Sequence, residues 1–201
     1  MDKTRRTLLA APLALALLPG AAFAQQLSLG EISNYLNRLQ TATGGFTQIN
    51  DDGTISTGTI YIKRPGRVRF EYDPPEQSLV VAGGGAVAVF DGRSNVNPER
   101  YPLNQTPLSI ILDDNVDFTR ANMVTGHTSD GTTTTVTAQD PEHPDYGSIQ
   151  MVFSSNPAEL RQWIITDNAG AQTTVILNNL QSGTSVGDVL FNIRRETANW
   201  N

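Results

Sequence analysis

The sequence predicts a mainly β domain with short helices, in which about 10–11 antiparallel strands curl into an incomplete barrel, or half-barrel. Three observations support this fold class. Apolar and polar residues alternate with period two over most of the 201 residues, Gly, Pro, Asn and Asp separate the alternating segments, and neither a repeat nor a linker divides the chain. With 38% hydrophobic residues, the chain is long enough to enclose an apolar interior.

Composition excludes several classes of function. The chain contains no Cys, which excludes disulfides, a Cys nucleophile, a Cys-ligated zinc or iron–sulfur site and a lipid-modified N-terminal Cys. Its formal net charge of −6 argues against a general nucleic-acid binder, because the phosphate backbone repels an acidic protein. We therefore predict no nucleic-acid partner.

Residues 1–24 are typical of a secretory signal peptide. A basic start precedes an apolar stretch over residues 8–18, which is too short to remain as a membrane anchor. Ala22-Phe23-Ala24 then places small residues where signal peptidase cleaves. We predict cleavage after Ala24, export, and a single domain over residues 25–201.

The export route has two candidates. The segment from Thr4 to Leu9 contains Arg5-Arg6 and resembles a twin-arginine signal, but paired Arg residues are also common in ordinary signal peptides. Both routes stay open. Removal of the basic start leaves a chain more acidic than the full one, which anionic lipid surfaces do not attract. We therefore expect a freely diffusing monomer.

Two short helices are predicted. The first has Ser28 as its N-cap and Glu31 at the spacing of a capping box. Its apolar residues follow at helical spacing and form one stripe: Ile32, Tyr35, Leu36 and Leu39. The second helix, over residues 106–112, takes Thr106 as its cap and Pro107 as its first helical residue. Together they could cover one side of the strands.

Nearly all of the remaining chain reads as strands. We predict them at residues 45–50, 54–64, 67–73, 77–82, 86–91, 118–125, 132–138, 148–154, 160–167 and 171–178, with a weaker candidate at 189–194. Residues 94–105 indicate only an irregular excursion.

The strand phases give a common apolar interior. In the first half of the chain, alternation directs nine residues to it: Ile60, Ile62, Val68, Phe70, Tyr72, Leu79, Val81, Val87 and Val89. Later strands repeat the pattern with Ile149, Met151, Phe153, Trp163, Ile165, Val175 and Leu177. Most interiors of this kind are filled by side chains, so a solid core is the alternative to a binding cavity.

Arg64 is the unusual residue of this pattern. It lies in phase with Ile60 and Ile62, so regular alternation directs a permanently charged guanidinium toward the apolar side. An unpaired buried charge costs several kcal/mol. Arg64 must therefore either reach solvent at the strand end set by Pro65, or find hydrogen-bond acceptors on a helix that covers the barrel.

The run from Gly58 to Tyr72, GTIYIKRPGRVRFEY, resembles the hallmark of the LolA family, the periplasmic outer-membrane lipoprotein carriers. The likeness also includes Gly45-Phe46-Thr47-Gln48, Pro74 to Val81, the Gly83-Gly84 turn, Val87 to Asp91 and Thr106-Pro107-Leu108. In detail it covers about residues 44–115, with the Arg-Pro turn as its most specific part.

The resemblance implies a half-barrel that encloses a hydrophobic cavity under a helical lid. The cavity would hold the acyl chains of a lipoprotein in the periplasm. An ATP-driven inner-membrane release complex would supply this cargo, and an outer-membrane receptor would accept it. Arg64 would be the latch between barrel and lid, and the lid residues would be Ile32, Leu36, Leu39, Leu108, Ile111 and Leu112. No cofactor is implied.

Enzymatic and metal-binding interpretations have little support. His127 and His143 are the only histidines, and neither has metal-ligand spacing to another His. Asp140 to Asp145 could hold a cation, but its two prolines favour a polar hairpin loop. We therefore predict that the protein is not an enzyme and binds no metal.

Four basic residues lie close together in the chain: Lys63, Arg64, Arg67 and Arg69. They are typical of a solvated strand edge rather than of a phosphate or nucleic-acid patch, since Glu71 and Asp73 lie beside them.

The alternative to a carrier is a related periplasmic lipid-sensing or regulatory module, which would use the same pocket to control a partner.

Overall fold

The computed structural model describes residues 26–94, 96–120 and 122–200. The predicted signal peptide therefore lies outside the described residues. Three α-helices lie within these described ranges: α1 (Leu29–Arg38), α2 (Leu108–Leu112) and α3 (Ile193–Asn199). Short 3-10 helices lie at Leu103–Gln105, Pro144–Tyr146 and Asp188–Phe191.

The strands of the described residues form one antiparallel sheet of 11 strands. They are β1 (Thr41–Ile49), β2 (Ile55–Lys63), β3 (Val68–Tyr72), β4 (Leu79–Gly83), β5 (Ala86–Phe90), β6 (Glu99–Pro102), β7 (Val124–Ser129), β8 (Thr133–Gln139), β9 (Ser148–Ser155), β10 (Ala158–Thr166) and β11 (Gln172–Ser182). Their order is β6-β5-β4-β3-β2-β1-β11-β10-β9-β8-β7, so two meanders meet where β1 pairs with β11. Since β6 and β7 are unpaired edges of this sheet, the predicted mainly β fold, an incomplete antiparallel barrel of about 10–11 strands, is confirmed.

The first predicted helix forms as expected. The Ser28 hydroxyl accepts a hydrogen bond from the Glu31 amide, and the Glu31 carboxylate accepts one from the Ser28 amide, which completes the capping box. Ile32 and Leu36 are fully buried. The capping box thus begins α1 at the position where its apolar stripe meets the sheet.

The second helix starts later than predicted. The Thr106 hydroxyl donates to the Leu103 carbonyl and closes the preceding 3-10 helix, so Thr106 is not the N-cap of α2. Pro107 occupies that position without a side-chain cap, and α2 begins at Leu108. β6 was also missed within the irregular excursion, because its four residues are all exposed and show no alternation.

Two predicted strands are wrong. Residues 118–125 do not form one, since Phe118 is buried and its amide donates to the Ser33 hydroxyl of α1, so the strand β7 begins only at Val124. Residues 189–194 contain a 3-10 helix and the start of α3, where the Asn192 side chain accepts from the Arg195 amide as an N-cap.

Apolar side chains fill both faces of the first half of the sheet. The main cluster lies between the sheet and helices α1 and α2. The second cluster contains Leu79, Val81, Ala88 and Phe90 with Val186 and Phe191, and it lies between the sheet and residues 183–200, which we call the C-terminal segment. Two layers therefore cover one sheet.

The placement of Leu79 and Val81 in the interior is therefore wrong. Directly paired residues of an antiparallel sheet project to the same face. Val81 pairs with Arg69 and Leu79 with Glu71, and these partners face away from the interior. Leu79, Val80 and Val81 are all apolar because both faces of β4 are covered. Alternation alone therefore does not determine which of these side chains point to the interior.

Three of the four basic residues bind the C-terminal segment rather than solvent. Lys63 and Arg67 both lie within 2.8 Å of a carboxylate oxygen of Asp188. The hydrogen bond and positive charge of Lys63, with a smaller contribution from Arg67, lower the pKa of Asp188. Arg69 is buried and donates to the Leu190 carbonyl over 2.9 Å. The interpretation as a solvated strand edge is thus wrong for Arg69.

Candidate functional site

The predicted interior and the predicted lid meet in one cluster. Ile60, Ile62, Val68 and Phe70 are at most 6% exposed. The cluster also holds Val87 and all six lid residues, which are Ile32, Leu36, Leu39, Leu108, Ile111 and Leu112, with Tyr72 packed against it. Val89 shares the face of Val87 and is half-buried. We call these sheet residues the floor, and we call the six residues of α1, its C-cap Leu39 and α2 the lid.

The lid side chains occupy the space above the floor. Ile32, Leu36 and Ile111 are at most 1% exposed, so they contact apolar neighbours on nearly all sides. An acyl chain that bound to the floor would have to displace them. Side chains therefore fill the space between the floor and the helices, an arrangement that we call closed, and a ligand could reach the floor only if the helices moved.

Arg64 joins both lid helices to the sheet. Its guanidinium donates to the Leu36 carbonyl in α1 and, through Nε over 3.1 Å and through Nη2, to the Asp113 carbonyl at the end of α2. Nη2 lies 3.4 Å from Oδ1 of Asn37. Arg64 is only 4% exposed. The sequence left two alternatives for Arg64, contact with solvent at the strand end or hydrogen bonds to a covering helix. The structure shows the second, since the buried guanidinium donates to both helices.

The electrostatics of Arg64 favour these contacts. Burial lowers the pKa of Arg64, while the negative charges of Asp113 and Asp114 act in the opposite direction. Because an arginine in a protein stays protonated at neutral pH, its bonds to the carbonyl oxygens are charge-assisted. Such bonds are stronger than those between neutral groups.

Backbone bonds add to the connection. The Arg64 amide donates to the Gln40 carbonyl after α1, and the Gly66 amide donates to the Leu112 carbonyl of α2, both over 2.8 Å. Gly66 has a φ of +68°, a conformation that favours glycine. The turn from Arg64 to Gly66 therefore holds the ends of both helices through side chain and main chain.

Asn37 and Ser33 are contact residues that the sequence analysis missed. The Asn37 side chain donates to the Val116 carbonyl and accepts from the Val116 amide, each over 2.9 Å. Ser33, one turn earlier, accepts from the Phe118 amide over 3.0 Å. The available signal was two polar residues four apart beside the apolar stripe of α1. They attach α1 to the segment that follows α2.

Aromatic rings form part of the floor. Phe46 meets Phe70 and Tyr72 edge to face, with ring centroids 5.3 and 5.1 Å apart. Trp163 lies against Phe70 at 6.3 Å. Phe46 belongs to the segment Gly45-Phe46-Thr47-Gln48 that resembles the family, but it is not among the predicted interior residues. The Tyr72 hydroxyl donates to the Gln48 side chain over 2.6 Å.

We expect Tyr72→Phe to reduce the loss of stability between pH 10 and 12. Burial and the charge of Glu76 raise the pKa of Tyr72 to about 12. The folded protein therefore holds the phenolic proton more tightly than the unfolded chain does. This contribution, roughly 2–3 kcal/mol, is complete below the unfolded pKa near 10 and is lost as the pH rises to 12. Urea unfolding of both proteins across this range measures it, and an equal alkaline loss in the variant would contradict it.

Two cavities flank the lid. One of about 600 Å³ lies between α1 and the β10–β11 side, and Tyr35, Arg38, Leu160 and Leu180 are among its lining residues. The other, of about 770 Å³, is lined by the Pro65-Gly66 turn, α2 and the segment after it, with Met123 and Asp140 opposite. The floor residues line neither of them, so these spaces border the lid without lying beneath it.

The histidine-containing loop forms the predicted polar turn. Asp140 accepts hydrogen bonds from the amides of Glu142 and His143, and the His143 ring stacks on Tyr146. Within residues 26–94, 96–120 and 122–200, no three His, Cys, Asp or Glu side chains are grouped so that they could hold a metal ion. None of the described helices has the length and apolar character needed to cross a membrane.

Comparison with known proteins agrees with the geometry. The family model described as "Outer membrane lipoprotein carrier protein LolA" matches residues 37–194. An outer-membrane lipoprotein carrier protein of Azotobacter vinelandii is 24% identical over 197 residues, covering 94% of this chain and 93% of that protein. One of Pseudomonas putida is 26% identical over 192 residues, with 89% of each chain covered.

Solved structures include a more distant likeness. The crystal structure of a LolA superfamily protein from Nitrosomonas europaea aligns with a TM-score of 0.44 at 10% identity, covering 83% of this chain and 98% of that one. The similarity to known proteins therefore rests on the family model and the sequence relatives.

Proposed function

The chain belongs to the LolA family of outer-membrane lipoprotein carriers, and from this premise we propose that it binds lipoprotein acyl chains between its floor and its lid and delivers them to the outer membrane. The proposed floor consists of Ile60, Ile62, Val68, Phe70, Tyr72, Val87 and Val89. Leu79 and Val81 are not part of it, since they pack under the C-terminal segment.

The observation that carries the proposal is the bonding of one buried cation to both lid helices. Burial of an acyl chain is worth about 0.8 kcal/mol per CH₂, so a lipoprotein does not leave a membrane unaided at a useful rate. A carrier must hold these chains and also release them. Cargo entry has to break the contacts of Arg64, and their return favours release, so the closed lid keeps the carrier from becoming a trap.

Location and partners complete the proposal. We propose that the signal peptide is removed after Ala24 and that the protein acts in the periplasm. The chain has no Gly-rich phosphate loop, so an ATP-driven inner-membrane complex would supply the energy for loading. An outer-membrane lipoprotein receptor would accept the cargo. Family carriers are not enzymes, and we expect no catalytic activity here. The comparisons do not favour the alternative of a regulatory module.

The test is to identify what the protein carries. We expect the protein purified from periplasm to retain intact acylated lipoproteins, detected by mass spectrometry, and to pass them to outer-membrane vesicles. A matched preparation that carries Ile60→Asp and Phe70→Asp should retain none, because a charged floor disfavours hydrocarbon. Free phospholipid alone, or a membrane-bound regulator without any lipoprotein, would overturn the carrier function in favour of the regulatory module.

A further inference from the structure

Trp163 carries a buried donor without a partner. Among the described residues, its indole Nε1 is the one buried side-chain nitrogen or oxygen that makes no hydrogen bond. The residue itself is only 1% exposed and lies in β10. Buried polar groups in folded proteins are nearly always paired, so this exception needs a physical reason.

The indole belongs to the interior that the lid covers. Trp163 is in the same cluster as the floor and the lid, and its ring lies edge-on to Phe70. It pairs with Val175, which pairs in turn with Gln48, so the three side chains share the interior face. The indole therefore lies in the interior that a bound chain would enter if the helices moved.

The polar groups on this face are engaged elsewhere. Oε1 of Gln48 accepts from the Tyr72 hydroxyl over 2.6 Å, and Nε2 of Gln48 donates to the Asn50 side chain over 2.7 Å. The protein satisfies these neighbours and leaves Nε1 of Trp163 without an acceptor. In the closed arrangement no acceptor of the described residues bonds to it, so a bound molecule can supply one.

We propose that Nε1 of Trp163 donates a hydrogen bond to the ester or amide carbonyl oxygen of a bound acyl chain. This inference rests on the proposed function. The methylene groups of such a chain offer no acceptor, but the carbonyl at its first carbon does. The empty, closed state bears the cost of an unsatisfied donor, and the acyl ligand removes that cost on binding. The site therefore distinguishes acyl chains from plain alkyl chains.

The test compares two synthetic lipopeptides that differ only in this carbonyl. Both carry a glyceryl-cysteine with a free amine, one with two palmitoyl ester chains and the other with two hexadecyl ether chains. We expect Trp163→Phe to weaken binding of the diester about fivefold and binding of the diether less than twofold. Trp200→Phe is the matched control, since Trp200 packs on Phe90 in the cluster under the C-terminal segment, and it should change neither affinity.

The outcomes separate this inference from the proposed function. Equal weakening of diester and diether by Trp163→Phe would assign the ring to packing and overturn the inference alone. Unchanged affinities would do the same. Failure of the native protein to bind either lipopeptide would overturn the carrier function and the inference with it.

A second measurement uses the native protein and does not depend on the variant folding. The indole N–H of Trp163 gives its own signal in nitrogen-15 NMR, which Trp200→Phe assigns by elimination because the chain contains two Trp residues. We expect the diester to move this signal toward lower field, as a new hydrogen bond does, and the diether to leave it without that shift. The same response to both ligands would overturn the inference.

Discussion

Arg64→Leu should leave the protein able to load acylated cargo but slow the transfer of that cargo more than tenfold. A single hydrogen bond involving a charged group is worth about 1.5–3 kcal/mol, and a difference of 1.4 kcal/mol is tenfold in an equilibrium. The substitution removes the bonds from Arg64 to Leu36 and Asp113 together. The measurement is the rate at which a fluorescent lipopeptide passes from the loaded protein to acceptor vesicles.

The direction of this effect follows from which state the bonds stabilise. They exist in the closed form, where lid side chains occupy the floor and compete with the ligand. Their loss lowers the free energy gained on closing, so the open, loaded form is favoured. Affinity for the lipopeptide should therefore rise while transfer slows.

Arg67→Leu provides the matched control. Arg67 is three residues from Arg64, but its side chain binds Asp188 and the carbonyls of Lys63 and Arg64, so the same substitution there removes no bond to either lid helix. Arg64→Lys is the second comparison, since an ammonium keeps the charge but cannot present the planar fork that reaches both helices. We expect native transfer rates for the first and intermediate rates for the second. Unchanged transfer in Arg64→Leu would discard the latch.

The sequence predicted the direction of Arg64 but not its partners. Period two directs its side chain to the face of Ile60 and Ile62, and the guanidinium is buried there. Its guanidinium donates to the backbone carbonyls of Leu36 and Asp113, and a carbonyl has no residue-type signature. The contact could therefore be expected from burial of a charge, but its geometry required the packed helices.

Local sequence pattern also failed to predict which face of β4 points to the interior and where Phe118 packs. In β2 and β3 one face is polar enough for alternation to give the correct phase, whereas β4 is apolar on both faces and its phase was chosen wrongly. The sequence predicts that Phe118 begins a strand. It instead fills the core below Ser33, a tertiary contact that local pattern does not encode.

Gly58→Ala should lower the free energy of unfolding by about 3 kcal/mol, because a methyl group there overpacks the sheet. A Cβ at Gly58 would overlap the Glu71 carbonyl oxygen and lie 2.7 Å from Cε1 of Phe46. The first neighbour is backbone of β3, which cannot move without breaking the ladder, and the second is a fully buried ring. Urea unfolding of the native and variant proteins measures the difference.

Gly45→Ala is the control within the same strand pair, and it isolates the steric cause. A Cβ at Gly45 would meet its nearest neighbour, Cβ of Asn178, at 3.5 Å, which is an ordinary contact. Replacing Gly with Ala where space allows stabilises a protein slightly, because the unfolded chain loses conformational freedom. The two variants should therefore change stability in opposite directions.

Gly58 also determines where the Phe46 ring lies, and this connects its packing to the floor. Phe46 pairs across the strands with Gly58, and its ring fills the space that a side chain would take before it contacts Phe70 and Tyr72. If Gly58→Ala still folds, Phe46 must shift, and we expect lipopeptide affinity to fall in that variant and not in Gly45→Ala. Native stability together with native affinity in Gly58→Ala would contradict this prediction. It would mean that the Phe46 ring and the Glu71 carbonyl can both move to accommodate a methyl group.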